Sequence, residues 1–341
     1  RRRVDRNLVG ASEQHAACVG HAADAAGDAE RDVDGARDTL HPAAVDAAAP
    51  GTTILVCPGS YKALVTVGAG KNRLEIRSTQ PFGAKLRVPA NVDVDGLVTI
   101  DGADAVTVRG FALLSGDGKS CGFARAGIVV RDAQDAVIRG NRIAPTATDT
   151  LGLCGFAWGI TVGIGPVAPK ADVIPPASAL IAWNLVRDPR FGGIRVGGPD
   201  TSATVSRNSI RYWHDGVTPT RIGRRALKPA AGNGSAGITV LEGADALIER
   251  NAVSSGLDAD PNAGGVQPVG GSTPILPIGI AVGGAGTVRV ADNLVRRVMA
   301  GISVGDNASL RVVENEIGVA RISLIADDEG AHVVGTQQVA R

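Results

Sequence analysis

The chain has 341 residues and a formal net charge of +1, so its overall charge excludes a general attraction to nucleic acid or to an anionic membrane. No run of 18 or more apolar residues occurs, so we predict no membrane span. Aromatic residues make up 3% of the chain, whereas glycine occurs 46 times and Val, Ile, Ala and Thr fill the periodic segments. This composition favours a core of stacked strands over a helical core.

Residues 1–45 differ from all that follows, because they are rich in Ala, Asp, Arg and His and show no strand periodicity. We interpret them as an N-terminal leader or cap that is partly disordered, with a helix favoured over the Ala-rich stretch 36–49. The chain begins with neither an initiator methionine nor a signal-peptide pattern, which indicates a mature form or a fragment.

The segment 43–61 predicts a short helix that ends at a Pro-Gly pair, then a strand, then a second Pro-Gly turn. Its sequence from residue 47, AAAPGTTILVCPGSY, resembles the opening of secreted proteins of the pectin-lyase-like superfamily. The resemblance implies an all-β fold, a right-handed parallel β-helix solenoid with a short N-terminal helical cap. Just upstream the chain departs from that family, because LHP at 40–42 replaces the usual Ile-Gln-containing helix.

Short strands are predicted next, and a repeated phrase then begins near residue 126. The phrase is Gly-Ile, followed 14 or 15 residues later by Asn in five copies. In a sixth copy, Gly159 with Asn184, a Pro-rich insertion lengthens the step. A fixed period of this kind predicts a solenoid. In Gly-Ile-x-Val the Ile and Val face inward, and the Asn lies inward at a bend, where stacked copies form an amide ladder. The early strands are predicted at 63–67, 73–78, 85–88, 97–100 and 105–108, and the pairs are Gly127 with Asn141, Gly159 with Asn184, Gly193 with Asn208, Gly237 with Asn251, Gly279 with Asn293 and Gly301 with Asn315.

The repeat predicts one elongated, monomeric β-helix domain over residues 46–330, followed by a C-terminal tail or cap at 331–341. Most of the extra length of the longer coils lies between the Asn and the next Gly, for example at 218–235 and 254–278. Insertions in solenoids project from defined turns and often form the binding face. We therefore expect a groove beside the short coils at 193–216.

Four cysteines match no zinc or thioredoxin-like motif. Cys121 and Cys154 each open the phrase CGFA before a Gly-Ile strand, which favours a disulfide between neighbouring coils. A bond between Cys18 and Cys57 is the other pairing, and free buried thiols are the alternative to both. An even count with disulfide potential favours an extracellular or cell-surface location.

Candidate site residues concentrate between 187 and 215. Arg187 and Arg211 each stand three residues after a ladder Asn, so they should lie about 5 Å apart on successive coils. Arg190 and Arg195 lie nearby, and Arg195 points outward where the equivalent residues are small or uncharged. The turn that follows contains Tyr212, Trp213, His214 and Asp215.

Repeated arginines suit a row of carboxylates, and β-elimination from a uronide needs cations for the carboxylate, a base and an acid. The catalytic set is Arg211, which neutralises the carboxylate, His214 or Tyr212, which transfers the proton, and Asp215, which orients His214 or holds Ca²⁺. The substrate-binding set is Arg187, Arg190, Arg195 and Trp213. Solvated turn residues are the alternative interpretation of the same cluster.

The resulting hypothesis is a secreted β-helix protein that binds or cleaves an acidic polysaccharide or cell-surface glycan, as a lyase, hydrolase or epimerase. The Asp-Asp and His-Gly pattern of polygalacturonases and the Asp-Pro-His of alginate epimerases are absent from the sequence. The alternative is a non-catalytic surface or adhesive solenoid that binds a partner through its loops. No cofactor or metal is predicted apart from Ca²⁺, for which Asp258 and Asp260 are loop candidates.

Overall fold

The protein is a parallel β-helix in which each strand from β1 to β20 pairs, in parallel, with the third strand after it. This confirms the predicted all-β fold class. The computed structural model describes residues 42–116, 122–146, 155–163, 175–212, 236–255, 277–284, 286–305, 308–326 and 332–340. Three strands form one turn of the solenoid, which we call a rung. Rung 1 is β1–β3, and the count continues in threes to rung 7, β19–β21.

The strands stack into three parallel sheets that run along the solenoid axis. Sheet I contains β1 Thr53–Val56, β4 Glu75–Ser78, β7 Thr107–Arg109, β10 Ala136–Arg139, β13 Ser178–Ala182, β16 Ser202–Ser206, β19 Asp245–Glu249 and β22 Thr287–Ala291. Sheet II contains β2 Gly59–Lys62, β5 Ala84–Arg87, β8 Ala112–Leu114, β11 Arg142–Ala144, β14 Leu185–Arg187, β17 Ser209–Tyr212 and β20 Ala252–Ser255. Sheet III contains β3 Val65–Gly68, β6 Asp93–Asp101, β9 Phe123–Arg131, β12 Trp158–Gly163, β15 Gly192–Gly197, β18 Ala236–Leu241 and β21 Ile278–Gly283.

Towards the C-terminus the strands become continuous around the corners of the solenoid. Strand β23, Leu294–Val304, contributes to sheets II and III, and β24, Ser309–Ala326, contributes to all three. The last strand, β25, His332–Ala340, pairs with β24 in parallel. The stack therefore continues past residue 330, where the sequence predicted its end.

One short helix, α1, Pro42–Ala47, covers the N-terminal end of the stack. It lies inside the predicted stretch 36–49. Val45 of this helix is buried in the same apolar cluster as the first strands. The Lys71 ammonium donates to the carbonyl of Ala48 at 2.8 Å and so ties the end of the helix to rung 1. No helix in the described part of the chain has the length and apolar character needed to cross a membrane.

The core consists of aliphatic side chains that repeat at equivalent positions in each rung. Ile194 and Val196 of β15 are fully buried, as are Ile238 and Val240 at the paired positions of β18. Strand periodicity of two places such residues on one face and leaves Arg195 and Thr239 on the outer face. This is the inward and outward assignment that the Gly-Ile-x-Val phrase predicts.

The glycine of the phrase is required by packing between sheets. A Cβ on Gly193 would lie 2.3 Å from Ile210 Cγ2 of sheet II and 2.6 Å from the carbonyl oxygen of Gly237. Contacts this short do not occur between real side chains, so only glycine fits where sheet III approaches sheet II. The same clash with sheet II would arise at Gly127, Gly159, Gly237 and Gly279.

The asparagines form a continuous ladder of hydrogen bonds at the corner between sheets I and II, which we call the ladder corner. Asn208 donates from Nδ2 to Asn251 Oδ1 at 3.0 Å and to the Ile181 carbonyl at 2.8 Å. Its own Oδ1 accepts from the Nδ2 and the backbone N–H of Asn184. Each buried amide is thus fully paired, as burial requires. The ladder runs through Asn141, Asn184, Asn208, Asn251, Asn293 and Asn315.

Cys57 is the one cysteine within the described residues. It is buried beside the first strand and is not a free thiol. Cys18, Cys121 and Cys154 lie outside the described ranges, so the two disulfide pairings stay predictions.

Candidate functional site

The corner between sheets II and III, which we call the II–III corner, gathers cations in rungs 4–6. Arg187 of β14 and Arg211 of β17 are direct register partners on adjacent strands, as their equal offset from the ladder predicts. Strands in a sheet are about 4.8 Å apart, so the two backbones run side by side at that distance. Both side chains are exposed. The pair therefore presents two cations to solvent from one face.

Among the described residues, the one acidic group that forms an ion pair with these arginines, Asp188, neutralises them only weakly. Asp188 Oδ1 lies 3.7 Å from Arg211 Nε, which is too long for a hydrogen bond, and the Arg211 side chain is 56% exposed. An exposed pair with this geometry contributes little to stability. Among the described residues, the local charge of the corner therefore remains positive.

The chain turns from sheet II into sheet III over the short loop 188–191. The backbone N–H of Arg190 donates to the Phe156 carbonyl at 2.9 Å, and that of Phe191 donates to the Ala157 carbonyl at 2.8 Å. These bonds stack the loop on the preceding rung. The Arg190 side chain is half-buried at this corner, so it lies between the exposed pair and sheet III.

Arg195 lies on the outer face of sheet III, and its side chain is only 7% exposed. Its guanidinium carbon is 5.5 Å from the centroid of the Trp158 ring on the preceding rung, which is a cation–π contact. Burial lowers the pKa of Arg195, and the negative charge of Glu242 partly opposes that shift. A cation held in this way is pre-organised by an aromatic ring.

Trp158 belongs to an aromatic cluster that the sequence analysis did not identify. Phe123, Trp158 and Phe191 are half-buried and pack around Ala157, apart from the main core. They come from three successive rungs of a chain in which aromatics are only 3%. The repeat gives no signal for Trp158, because a period of two from inward Ile160 predicts that residue 158 also faces inward, whereas its half-buried ring contacts outward-facing Arg195.

Further along sheet III, a network of ion pairs joins rungs 2 and 3. Arg125 is 1% exposed, and its guanidinium contacts Asp93 at 2.5 Å and Asp95 at 3.4 Å. Arg131 bridges Asp95 at 3.4 Å and Asp101 at 2.8 Å. All five residues take part in ion pairs between the two strands, so we interpret the network as a structural tie between strands β6 and β9.

Tyr212 does not fit the predicted proton-transfer role. Its side chain is fully buried in the core, and its hydroxyl donates to the Ile278 carbonyl at 2.6 Å. Burial raises the pKa of this phenol well above its ordinary value of 10.0. A phenol that is dry, bonded and difficult to ionise is not available to a substrate.

The structure brings only part of the predicted site together. Arg187 and Arg211 share the outer face of sheet II, Arg190 lies in the loop, and Arg195 lies on the next face, that of sheet III. Trp213, His214 and Asp215 lie outside the described residues, as do Asp258 and Asp260. Within the described part of the chain, no group of three or more His, Cys, Asp or Glu residues is placed to hold a metal ion.

Comparisons with known proteins find a similarity of fold only. No protein-family model matches the chain, and no curated protein matches it. Among solved structures, an alginate lyase from Paenibacillus sp. str. FPU-7 is similar at 15% identity and a TM-score of 0.45, over 85% of this chain and 95% of that one. The A-module of the Azotobacter vinelandii mannuronan C-5 epimerase AlgE6 is similar at 14% identity and a TM-score of 0.34, over 88% and 94%.

The catalytic domain of a GH87 alpha-1,3-glucanase is also similar, at 12% identity and a TM-score of 0.28, over 85% of this chain and 63% of that one. All three TM-scores lie below 0.5. We therefore infer function from the residues of this chain alone.

Proposed function

We propose that this protein binds an acidic polysaccharide across the II–III corner of rungs 4–6. The observation that carries the proposal is the register pair of Arg187 and Arg211, two exposed cations on adjacent strands whose one ion-pair partner among the described residues is Asp188. An extended polymer of sugar acids carries carboxylates at regular intervals, and adjacent strands repeat at about 4.8 Å. Guanidinium groups in such a row can bind carboxylates through charge-assisted bonds.

The aromatic cluster beside the pair adds a second kind of contact. Sugar rings present apolar C–H faces, and the half-buried rings of Trp158 and Phe191 provide partly exposed aromatic surface at the same corner. Arg190 and Arg195 lie next to these rings. The arginines can bind acid groups, and the aromatic rings can pack against the apolar faces of sugar rings. This combination favours a saccharide over a simple anion as the ligand.

Binding is proposed ahead of cleavage, because the described part of the corner contains arginines and Asp188 but no group suited to proton transfer near neutral pH. Cleavage by β-elimination remains the second candidate. It requires His214 as the base or acid and Asp215 to orient it, and these come two and three residues after buried Tyr212 in the chain. If the protein binds the polysaccharide but does not cleave it, it is an adhesive, non-catalytic solenoid. An extracellular or cell-surface location suits either form.

The proposal is tested with a panel of polyuronates, a sulfated polysaccharide and a neutral glucan, each measured by affinity electrophoresis. We expect the wild-type protein to be retarded by the acidic polymers and not by the neutral glucan. Equal migration with every polymer would overturn the proposal. The same samples are followed for the ultraviolet absorbance of an unsaturated product, with and without Ca²⁺. A rise supports cleavage, and binding without a rise supports the adhesive form.

A further inference from the structure

The ladder corner carries a row of residues in the left-handed backbone conformation, one in each rung, directly before the ladder position. Their backbones stack: the N–H of Phe82 donates to the Gly110 carbonyl at 2.7 Å, and that of Trp183 donates to the Ser206 carbonyl at 3.2 Å. A positive φ favours glycine and strains a bulky side chain. From rung 2 to rung 9 the row reads Phe82, Gly110, Gly140, Trp183, Arg207, Arg250, Asp292 and Glu314.

Phe82 and Trp183 are the two residues in this row that the fold does not explain, and Trp183 is the more exposed of the two. Its φ is +59°, and its side chain is 54% exposed. The charged members of the row are exposed, where water solvates their side chains, and the glycines adopt a positive φ without strain. Trp183 has neither advantage, because its indole is apolar and its backbone is strained. Exposed aromatic surface on a strained backbone is a feature that marks binding positions.

The two faces of the Trp183 ring have different surroundings. The Arg207 guanidinium lies 4.9 Å from the ring centroid on the side of the next rung. On the side of the preceding rung stands Gly140, where an added Cβ would meet no atom within 4 Å. Gly110 follows, and then Phe82, which is 37% exposed. Phe82 and Trp183 are three strand spacings apart, about 14 Å.

These residues define a notch in the ladder corner, with Trp183 and Phe82 at its ends and Gly110 and Gly140 as its floor. Arg139 and Arg142 flank Gly140 on either side of the corner, and both side chains are exposed. Among the described residues, neither makes an ion pair, whereas Arg109 is bonded to Glu75 at 2.6 Å. The rim of the notch beside Gly140 is therefore positively charged and uncompensated, which favours an anionic occupant.

The notch is also within reach of the II–III corner. Trp183 is four residues before Arg187, and a strand advances about 3.3 Å per residue, so the two are at most about 13 Å apart along the outer face of sheet II. On the other side of the corner, Leu180 is 39% exposed and lines a shallow groove of about 700 Å³ on sheet I. One short saccharide segment can span the distance from Trp183 to Arg187.

We propose that the notch is a second subsite for the same acidic polysaccharide, in which a sugar ring packs on the free face of Trp183. Its carboxylate then pairs with Arg139 and Arg142, while the next residues of the polymer reach Arg187. The inference rests on the proposed function and deepens it, because it assigns a ring-stacking position outside the II–III corner. It also explains an aromatic residue at a position where the backbone favours glycine.

Trp183→Gly is the informative variant, because glycine already occupies the same position in rungs 3 and 4. We expect its thermal unfolding midpoint to equal or exceed that of the wild type, and its affinity for a polyuronate to fall roughly tenfold, the loss of one aromatic contact. The matched control is Glu314→Gly, the same backbone change in rung 9, far from the notch, which should bind normally. Arg139→Ala combined with Arg142→Ala should weaken binding to a similar extent.

Intrinsic fluorescence gives a second measurement. A trimer of galacturonic acid should shift the tryptophan emission of the wild type, and the shift should be smaller in Trp183→Gly than in Glu314→Gly, with the remainder coming from Trp158 and Trp213. If the wild type binds a polyuronate and Trp183→Gly binds it equally well, this inference is overturned and the proposed function stands. Wild-type protein that binds no acidic polymer overturns both together.

Discussion

Arg195 lies with its guanidinium carbon 5.5 Å from the centroid of the Trp158 ring, one rung away on the outer face of sheet III. The arginine is 7% exposed, so its guanidinium lies in a largely dry environment. Arginine tolerates such burial better than lysine does, because its charge is delocalised, weakly hydrated and suited to stacking on a ring. The contact makes Arg195 and Trp158 one unit within the candidate site.

Arg195→Lys should therefore destabilise the protein by about 1–2 kcal/mol at neutral pH. Burial should lower the pKa of the new lysine below its unfolded value, so the folded state would bind fewer protons than the unfolded state. Stability then rises with pH up to the pKa of an unfolded lysine, about 10.4. Urea unfolding at several pH values measures this. A variant as stable as the wild type, with the same pH profile, would show that the ring contact is unimportant.

Removing an asparagine side chain from the ladder should lower the free energy of unfolding more than removing an exposed asparagine side chain. Asn208→Ala leaves Asn184 and Asn251 with unpaired buried groups, and we expect the free energy of unfolding to fall by about 2–4 kcal/mol. Asn72→Ala is the matched control, because exposed Asn72 also bridges rungs, through a bond from the Asp104 backbone at 3.0 Å. It should lose no more than about 1 kcal/mol. Equal losses in the two variants would contradict the role of the ladder.

The recurring glycine makes a separate prediction about packing. In Gly193→Ala the new methyl group would overlap Ile210, and overpacking of this kind costs about 1–3 kcal/mol. Gly68→Ala is the control, because its Cβ would meet nothing within 4 Å and its backbone is not in the left-handed region. Chemical denaturation of both variants measures the difference. If Gly193→Ala proved as stable as Gly68→Ala, close approach of sheets II and III would not explain the repeat.

Tyr212 should contribute to a loss of stability in alkali. Burial raises the pKa of its phenol in the folded state above 10.0, so the unfolded chain ionises first and binds fewer protons. Stability from this group is complete below pH 10 and falls as the pH rises above it. Tyr61 is shifted in the same direction by burial, so Tyr212→Phe should reduce the alkaline loss without abolishing it.

The same Tyr212→Phe variant distinguishes a structural role of Tyr212 in the core from a catalytic role in proton transfer. It should lose about 1 kcal/mol at neutral pH through the missing bond to the Ile278 carbonyl, with unchanged affinity for an acidic polymer. Denaturation at pH 7 and pH 11 and one binding isotherm provide the measurement. If polymer cleavage is observed and Tyr212→Phe abolishes it while the fold remains intact, the assignment of Tyr212 to the core is wrong.

Much of the architecture could be predicted because its determinants are local. The spacing of Gly-Ile and Asn identified the repeat, and the equal offset of Arg187 and Arg211 from the ladder predicted their partnership, which the register confirms. The burial of Tyr212 could also have been predicted, since Ile210 faces inward and a period of two places residue 212 on the same side. The predicted catalytic role of Tyr212 relied on its residue type and not on this periodicity.

The arrangement at the II–III corner could not be predicted, because the chain covers it by paths of unequal length. Asn184 to Gly193 is 9 residues, whereas Asn208 to Gly237 is 29. Side-chain alternation does not carry across such connections, so the sequence could not show that Arg195 lies on a different face from Arg187. For the same reason it did not show that Phe123, Trp158 and Phe191 pack together from three rungs.

The central claim is that the exposed pair of Arg187 and Arg211 binds an acidic polysaccharide. The most direct test is the dissociation constant for a polyuronate at low and moderate salt, for the wild type and for the double variant Arg187→Ala with Arg211→Ala. The matched control is Arg296→Ala, in the same row of sheet II, where Glu316 at 2.9 Å already neutralises the charge.

At about 1 kcal/mol for each exposed pairing, we predict that the double variant binds up to about 30-fold more weakly at low salt. It should also depend less on salt than the wild type, because fewer charges remain to be screened. The control should bind normally. A double variant with the affinity and salt dependence of the wild type would contradict the account.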